Sequence, residues 1–227
     1  MKSLKRYSPI KFIDTPARIQ VRNDWEVVLE YENEQKGPFL VDLSHIGKWD
    51  VEGEDLPSLR PAGLAIPKDS EQCLLTGDFL LNLIKWNWAT IWHFSEDMPD
   101  FAEEFAFTNV TEAYALIALL GREAFSIMEK LTSLDLLSPK RKPPFLIMGP
   151  VVHIRSQVVV LSRERDRSAV LVACPRGYGQ SIAEIMLESG KEYRLRPGGE
   201  NIFSSLREMW GGTTNPVNIN REEGKVN

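Results

Sequence analysis

Ser44 and His45 stand side by side in "LVDLSHIGKWDVEG", residues 40–53. They put a hydroxyl and an imidazole between two short apolar runs. A serine beside a base is the raw material of a nucleophile. The spacing argues against that chemistry. Neighbours in a strand point to opposite faces, so the two side chains would not meet. No G-x-S-x-G elbow lifts a serine oxygen into the open either, and hydrolysis at Ser44 is set aside. Two readings remain for the pair: the wall of a working cavity, or a bend fixed by side-chain hydrogen bonds.

The other chemistry-bearing residues are scattered. "RGYG", residues 176–179, places Arg176 and two glycines before an apolar-periodic run. Free N–H groups at a helix start can hold an anion, and the same pattern also makes a plain strand-to-helix turn. The acid pairs Glu103-Glu104 and Glu222-Glu223 lie in polar stretches, where burial would not raise a carboxyl pKa. His45, His93 and His153 have no metal-ligand spacing, and Cys73 and Cys174 are too few for a four-cysteine site, so no metal centre is expected. Neither G-x-G-x-x-G nor G-x-x-x-x-G-K-[ST] occurs.

The elements that would position these residues read as an α+β chain. "WEVVLEY" alternates as a strand, and "FLVDL" and "IGKWDVEG" form two strands bent at Ser44-His45. "TGD", residues 76–78, is a hairpin turn in which Gly77 supplies a positive φ. The next run reads as one strand with Trp86, Trp88 and Trp92 on a single face, either packed on a neighbouring sheet or serving as a stacking platform. Periodicity switches from two to 3.6 at Gly121 and Gly177, which predicts helices over 122–134 and 178–189. The unit strand, glycine, helix recurs at "YALIALLG-REAFSIMEKL" and "AVLVACPRG-YGQSIAEIML", with a weaker copy at "WDVEG-EDLPSL". Antiparallel or mixed sheets, helices and an internal duplication follow. The strands near the tryptophans are amphipathic, which argues against a doubly wound parallel sheet.

Composition bounds the rest. The 227 residues suffice for one large domain, with 43% hydrophobic and 26% charged residues. The organisation expected is an extended arm at 1–16, a domain at 17–210 with sub-halves of about 17–105 and 106–210, and a flexible tail at 211–227. A net charge of -5 excludes a phosphate-backbone binder, so no nucleic-acid partner is expected. The longest apolar run, "YALIALL", is far short of the roughly 20 residues of a membrane span. The N-terminus has no secretory h-region, and the expected place is the cytoplasm.

These segments together resemble the glycine-cleavage T-protein family. "LVDLSHIGKWDVEG" resembles that family's Asp-Val-Ser-His-Met segment. "FTNVTEAYALIALLGREAFSIMEKLTSLDL" resembles the entry to the second part of its folate-binding domain. "VVVLSRERDRSAVLVACPRGYGQSIAEIMLESG" sits where the family has an Arg-Thr-Gly-Tyr-Thr-Gly-Glu loop between strands, then a helix. The likeness covers about residues 20–200 and is greatest to the short gamma subunit of heterotetrameric sarcosine oxidase. It implies a folate-binding fold and tetrahydrofolate as a one-carbon acceptor. The implied partners are a lipoyl carrier protein or the subunits of a flavin oxidase.

The departures from the pattern bear on activity. The family's Asp-Asp pair, one acid of which steers folate, has no match in "TGDFLLNLIKWNWATIW", where Asp78 falls in a turn. The pterin-holding loop is reduced to "SRERDRS", in which Arg163 keeps the arginine position and Glu164 or Asp166 would replace the acid. The resemblance therefore gives Ser44, His45, Arg163, Glu164 and Arg176 as cofactor-contacting residues and assigns no catalytic one. The expected protein is a degenerate or accessory aminomethyltransferase-like member of one-carbon and amine metabolism. The alternative is a non-catalytic gamma-type subunit of a flavin-dependent, sarcosine-type amine oxidase, docking through the tryptophan sheet or the acidic loop 95–104.

Overall fold

The computed structural model describes residues 5–32, 34, 36–99, 101 and 106–211. Among these the strands, in chain order, are β1 (Pro16–Arg22), β2 (Trp25–Tyr31), β3 (Phe39–Asp42), β4 (Gly47–Glu52), β5 (Cys73–Thr76), β6 (Phe79–Lys85), β7 (Trp88–His93), β8 (Phe107–Asn109), β9 (Tyr114–Leu120), β10 (Phe145–Val151), β11 (Ile154–Ser162), β12 (Ala169–Pro175) and β13 (Arg196–Gly198). The helices are α1 (Ala124–Glu129), α2 (Gly179–Ser189) and α3 (Glu200–Gly211).

Three sheets result. A six-stranded sheet runs β10-β11-β12-β9-β3-β13, a five-stranded sheet runs β5-β6-β7-β4-β8, and β1 and β2 form a separate ribbon. Every pairing is antiparallel except β3 with β13. The expected α+β class with mixed sheets is what the chain forms. The glycine-punctuated units are visible: β9 runs through Gly121 into α1, and β12 runs through a short 3-10 turn into α2.

Layering explains the sequence patterns. Alternate residues of β9 face opposite clusters. Ile117 and Leu119 join Ile127 of α1 and Ile182 and Met186 of α2. Leu116, Ala118 and Leu120 join Leu80 of β6 and Trp92 of β7. A strand buried on both faces carries no polar alternation, hence the unbroken "YALIALL". Gly121 has φ +105°, a left-handed conformation open to glycine, and a Cβ there would lie 3.0 Å from the Pro38 Cα.

Two expectations are corrected. The tryptophan run is not one strand but a hairpin: β6 ends at Lys85 and β7 begins at Trp88. Trp86 sits in the turn, 68% exposed, Trp88 is half-buried and Trp92 is buried. Period-two spacing runs unchanged through a two-residue turn, so the sequence disguises it. The first helix, expected over 122–134, spans only Ala124–Glu129. Beyond it the Thr132 hydroxyl donates to the Pro150 carbonyl and the Val152 N–H donates to the Leu131 carbonyl. Those bonds tie the segment to the β10–β11 hairpin and end the helix.

Candidate functional site

The Ser44-His45 segment is a corner. β3 belongs to the six-stranded sheet and β4 to the five-stranded one, so residues 43–46 carry the chain from one layer to the other. Side chains fix the turn. The Ser44 N–H donates to Asp42 Oδ1 at 2.9 Å, and the Leu116 N–H donates to Ser44 Oγ at 3.3 Å. The Lys48 amine donates to the carbonyls of Ser44 and Ile46 at 2.9 and 2.7 Å. Ser44 is fully buried, and its polar atoms serve the bend. His45 turns the other way, onto the wall of a cavity. The two readings of the pair thus divide between its members.

That cavity measures about 270 Å³ and lies beneath the N-terminal arm. Trp25, Tyr31, Asp42, His45, Phe12 and Ser8 are on its wall. The arm is held down by several contacts. The Ser8 hydroxyl bonds to Asp42, the Arg176 guanidinium donates to the Tyr7 carbonyl, and the Lys11 N–H donates to Gln180 at 2.7 Å. Arg176 also lies 5.6 Å from the Trp25 ring centroid, a cation–π arrangement. Burial first, then the charges of Asp42, Asp14 and Glu34, push the Tyr31 phenol well above its usual range.

Behind His45 stands Glu200, the first residue of α3, which the sequence reading passed over. His45 Nε2 lies 3.2 Å from Glu200 Oε1, and Arg22 bonds the other carboxylate oxygen. Glu200 is 3% exposed. Burial alone would raise its carboxyl pKa. The hydrogen bond and charge of His45, with the charge and hydrogen bond of Arg22, outweigh it and hold the pKa below the ordinary carboxylate value. A helix N-terminus favours a carboxylate as well.

Arg163 and Glu164 lie elsewhere, on an open groove with Trp210 and Arg167. The Arg163 guanidinium donates to the carbonyls of Leu136, Ser138 and Arg141 at 2.7, 2.9 and 2.9 Å. It therefore clamps the 136–141 connection. Glu164 is exposed and pairs with Arg167. Thus the structure brings His45, and Arg176 at its margin, to one cavity, buries Ser44 behind it, and leaves Arg163 and Glu164 in a separate place. Arg163→Ala should cost about 2 kcal/mol, since it strands three carbonyls, with charge-assisted bonds worth roughly 1.5–3 kcal/mol. Urea denaturation would show it as a lower midpoint.

Of the acids singled out from the sequence, Glu103, Glu104, Glu222 and Glu223 lie outside the described residues. The same holds for parts of the acidic loop and nearly all of the tail. Among the described residues no group of three or more His, Cys, Asp or Glu could hold a metal ion, and no helix is long and apolar enough to cross a membrane.

No protein-family model matches the chain. It is 32% identical over 117 residues to the sarcosine oxidase subunit alpha of Rhizobium meliloti, covering 48% of this chain and 11% of that protein. It is 25% identical over 205 residues to the aminomethyltransferase of Thermoanaerobacter pseudethanolicus, covering 80% of this chain and 55% of the relative. The chain thus spans about half the length of the aminomethyltransferase it matches. The fold superposes on glycine cleavage system aminomethyltransferase T from Bartonella henselae with a TM-score of 0.62 at 18% identity, covering 85% of this chain and 58% of that one. It superposes on a chain of the heterotetrameric sarcosine oxidase of Corynebacterium sp. U-96 with a TM-score of 0.58 at 9% identity, covering 68% of this chain and 84% of that one. The chain thus has a T-protein-like fold, and in sequence it is similar to aminomethyltransferases and to a sarcosine oxidase subunit.

Proposed function

We propose that this chain is an accessory member of that superfamily, acting in one-carbon and amine metabolism without carrying out aminomethyl transfer itself. One observation carries the reading: each acid that the sequence offers in place of the family's missing ones, Asp78, Glu164 and Asp166, is engaged or displaced at the surface. Asp78 bonds Arg207. Glu164 pairs with Arg167, and both Glu164 and Asp166 lie on an exposed turn. Strand β6 carries no carboxylate in "FLLNLIK". Its buried polar residue is Asn82, whose amide donates to Thr90 at 3.2 Å. An amide side chain cannot accept a proton at neutral pH, so β6 offers no group to handle the proton of a folate nitrogen.

Tetrahydrofolate is then at best a weak ligand. Losing one charge-assisted hydrogen bond costs roughly ten- to a hundredfold in affinity. Calorimetric titration of tetrahydrofolate into the protein, followed by a transfer assay with an aminomethyl-lipoyl carrier, tests this. The expected result is binding weaker than micromolar and no turnover. Micromolar binding with turnover would overturn the reading and make Glu164 and Asp166 the first acids to replace.

A second reading is a non-catalytic subunit of a flavin-dependent amine oxidase. It is favoured by the superposition on 84% of a chain from a heterotetrameric oxidase. Co-expression with the subunits of a flavin-dependent amine oxidase should yield a stable complex on size-exclusion chromatography if that reading holds.

A further inference from the structure

The corner between the sheets contains a group that the proposed function does not use. Lys48 of β4 is 1% exposed, and a buried lysine is costly unless its charge is answered. No carboxylate lies within ion-pairing distance of it among the described residues. Its amine has two acceptors, the carbonyls of Ser44 and Ile46. An ammonium carries three donors, and a neutral amine carries two. The bonding found matches the neutral form, with no proton left without an acceptor.

The surroundings agree. Burial drives the Lys48 pKa down to about 7, Asp42 of β3 works against that, and Arg176 after β12 adds to it. The cross-strand neighbour on β7 is Trp92, and the 109–113 connection contributes Thr111, which bonds the Lys48 backbone. Neither is charged. From β9, Leu116 reaches the corner through Ser44. A proton added here would bring a third donor and a charge into a closed space with no carboxylate at ion-pairing distance among the described residues.

We propose that Lys48 stands as a neutral amine in the folded protein, and that its protonation loosens the corner that holds Asp42 and His45 on the cavity wall. The cavity under the N-terminal arm is then a proton-gated site, well formed above neutrality and loosened below it. This stands apart from the question of folate transfer, because it concerns the wall of the cavity and not what occupies it.

The sign follows from linkage. An unfolded lysine holds its proton up to the ordinary value of 10.5. Between about pH 7 and that value the unfolded chain binds one proton more than the folded one, so stability rises with pH and levels off below about 7. From pH 7 to 8.5 the unfolding equilibrium constant should fall roughly fifteenfold from this group alone. The two cysteines, whose pKa values burial raises on folding, oppose this by about twofold each at pH 8.5, to the same extent in the native chain and in a lysine variant.

Urea denaturation at pH 7 and 8.5 of the native chain and of Lys48→Met tests the charge. From pH 7 to 8.5 the native chain should gain stability relative to the variant, whatever the variant's absolute stability. Equal gains in both would overturn the proposal. Should Lys48→Met not fold, NMR of protein with 13C-labelled lysine gives the same answer. One resonance should titrate near neutrality, and none doing so refutes the neutral amine. Hydrogen exchange at Leu43, Ile46 and Lys48, corrected for intrinsic rates, tests the loosening. Protection should be lower at pH 6 than at pH 8, and equal protection would overturn the gating.

Discussion

Glu200→Ala is expected to cost about 3 kcal/mol of folding stability. Removing one partner of a buried ion pair typically costs roughly 3–5 kcal/mol, because the other charge is left without an answer. Arg22 keeps a second partner in Glu96, which places the effect at the lower end. Among the described residues His45 has no other buried hydrogen-bond partner, so its ring should lose its fixed place on the cavity wall. A double-mutant cycle with His45→Ala, read by urea denaturation, separates the two contributions. A coupling near zero would mean that His45 and Glu200 merely touch. The stabilisation should also fade at low pH. A carboxyl whose pKa is depressed on folding stabilises fully above its unfolded value, near 4.5, and loses that contribution as pH falls through the folded value.

The residue before it makes the same argument by geometry. A Cβ on Gly199 would lie 2.1 Å from the Leu29 carbonyl oxygen and 2.5 Å from the Glu30 nitrogen, both backbone atoms. Backbone of a paired strand cannot swing aside as a side chain can. Gly199 is therefore what allows α3 to approach β2 closely enough for Glu200 to reach His45 and Arg22. Gly199→Ala should destabilise by about as much as Glu200→Ala, since overpacking costs typically 1–3 kcal/mol and occasionally more.

How much of this was legible beforehand depended on sequence distance. The corner at Ser44-His45, the buried strand β9 and the start of α2 all announce themselves locally, through an interrupted apolar run, an unbroken one and a change of period. Helix α3 left a signal too: Phe203, Leu206 and Trp210 recur at helical spacing after a Gly-Gly pair, with an acid in the first turn. That pattern could have been read. The meeting of Glu200 with His45 could not, because 155 residues separate them and neither periodicity nor propensity reports a tertiary contact. Lys48 misleads for a related reason. In sequence it reads as an ordinary charged strand position, and the crossing of two sheets closes over it. Arg163 directly follows β11, but the carbonyls that occupy it come from a connection whose course no local pattern announced.

Trp92→Ala is expected to cost about 3–5 kcal/mol, and Trp86→Ala less than about 0.5. Both are aromatic truncations at period-two positions of one sequence run, so the difference isolates burial. Trp92 packs between the sheets with Leu80, Phe94 and Phe203, 2% exposed. Removing it leaves a cavity that the rigid sheets on either side cannot collapse to fill, the circumstance in which large-to-small substitution costs most. Trp86, at the tip of the β6–β7 turn, exposes 68% of its surface, and surface substitutions away from caps and strained backbone stay within about 0.5 kcal/mol. Trp88, half-buried with the Lys85 amine 5.7 Å from its ring centroid, should fall between them. Urea midpoints at constant m-value measure all three. Equal losses at Trp86 and Trp92 would refute the hairpin and restore a continuous strand with both indoles on one buried face. Unchanged stability for Trp86→Ala, together with failure of that variant to co-elute with a co-expressed oxidase, would place the subunit interface at this turn and favour the second functional reading over the first.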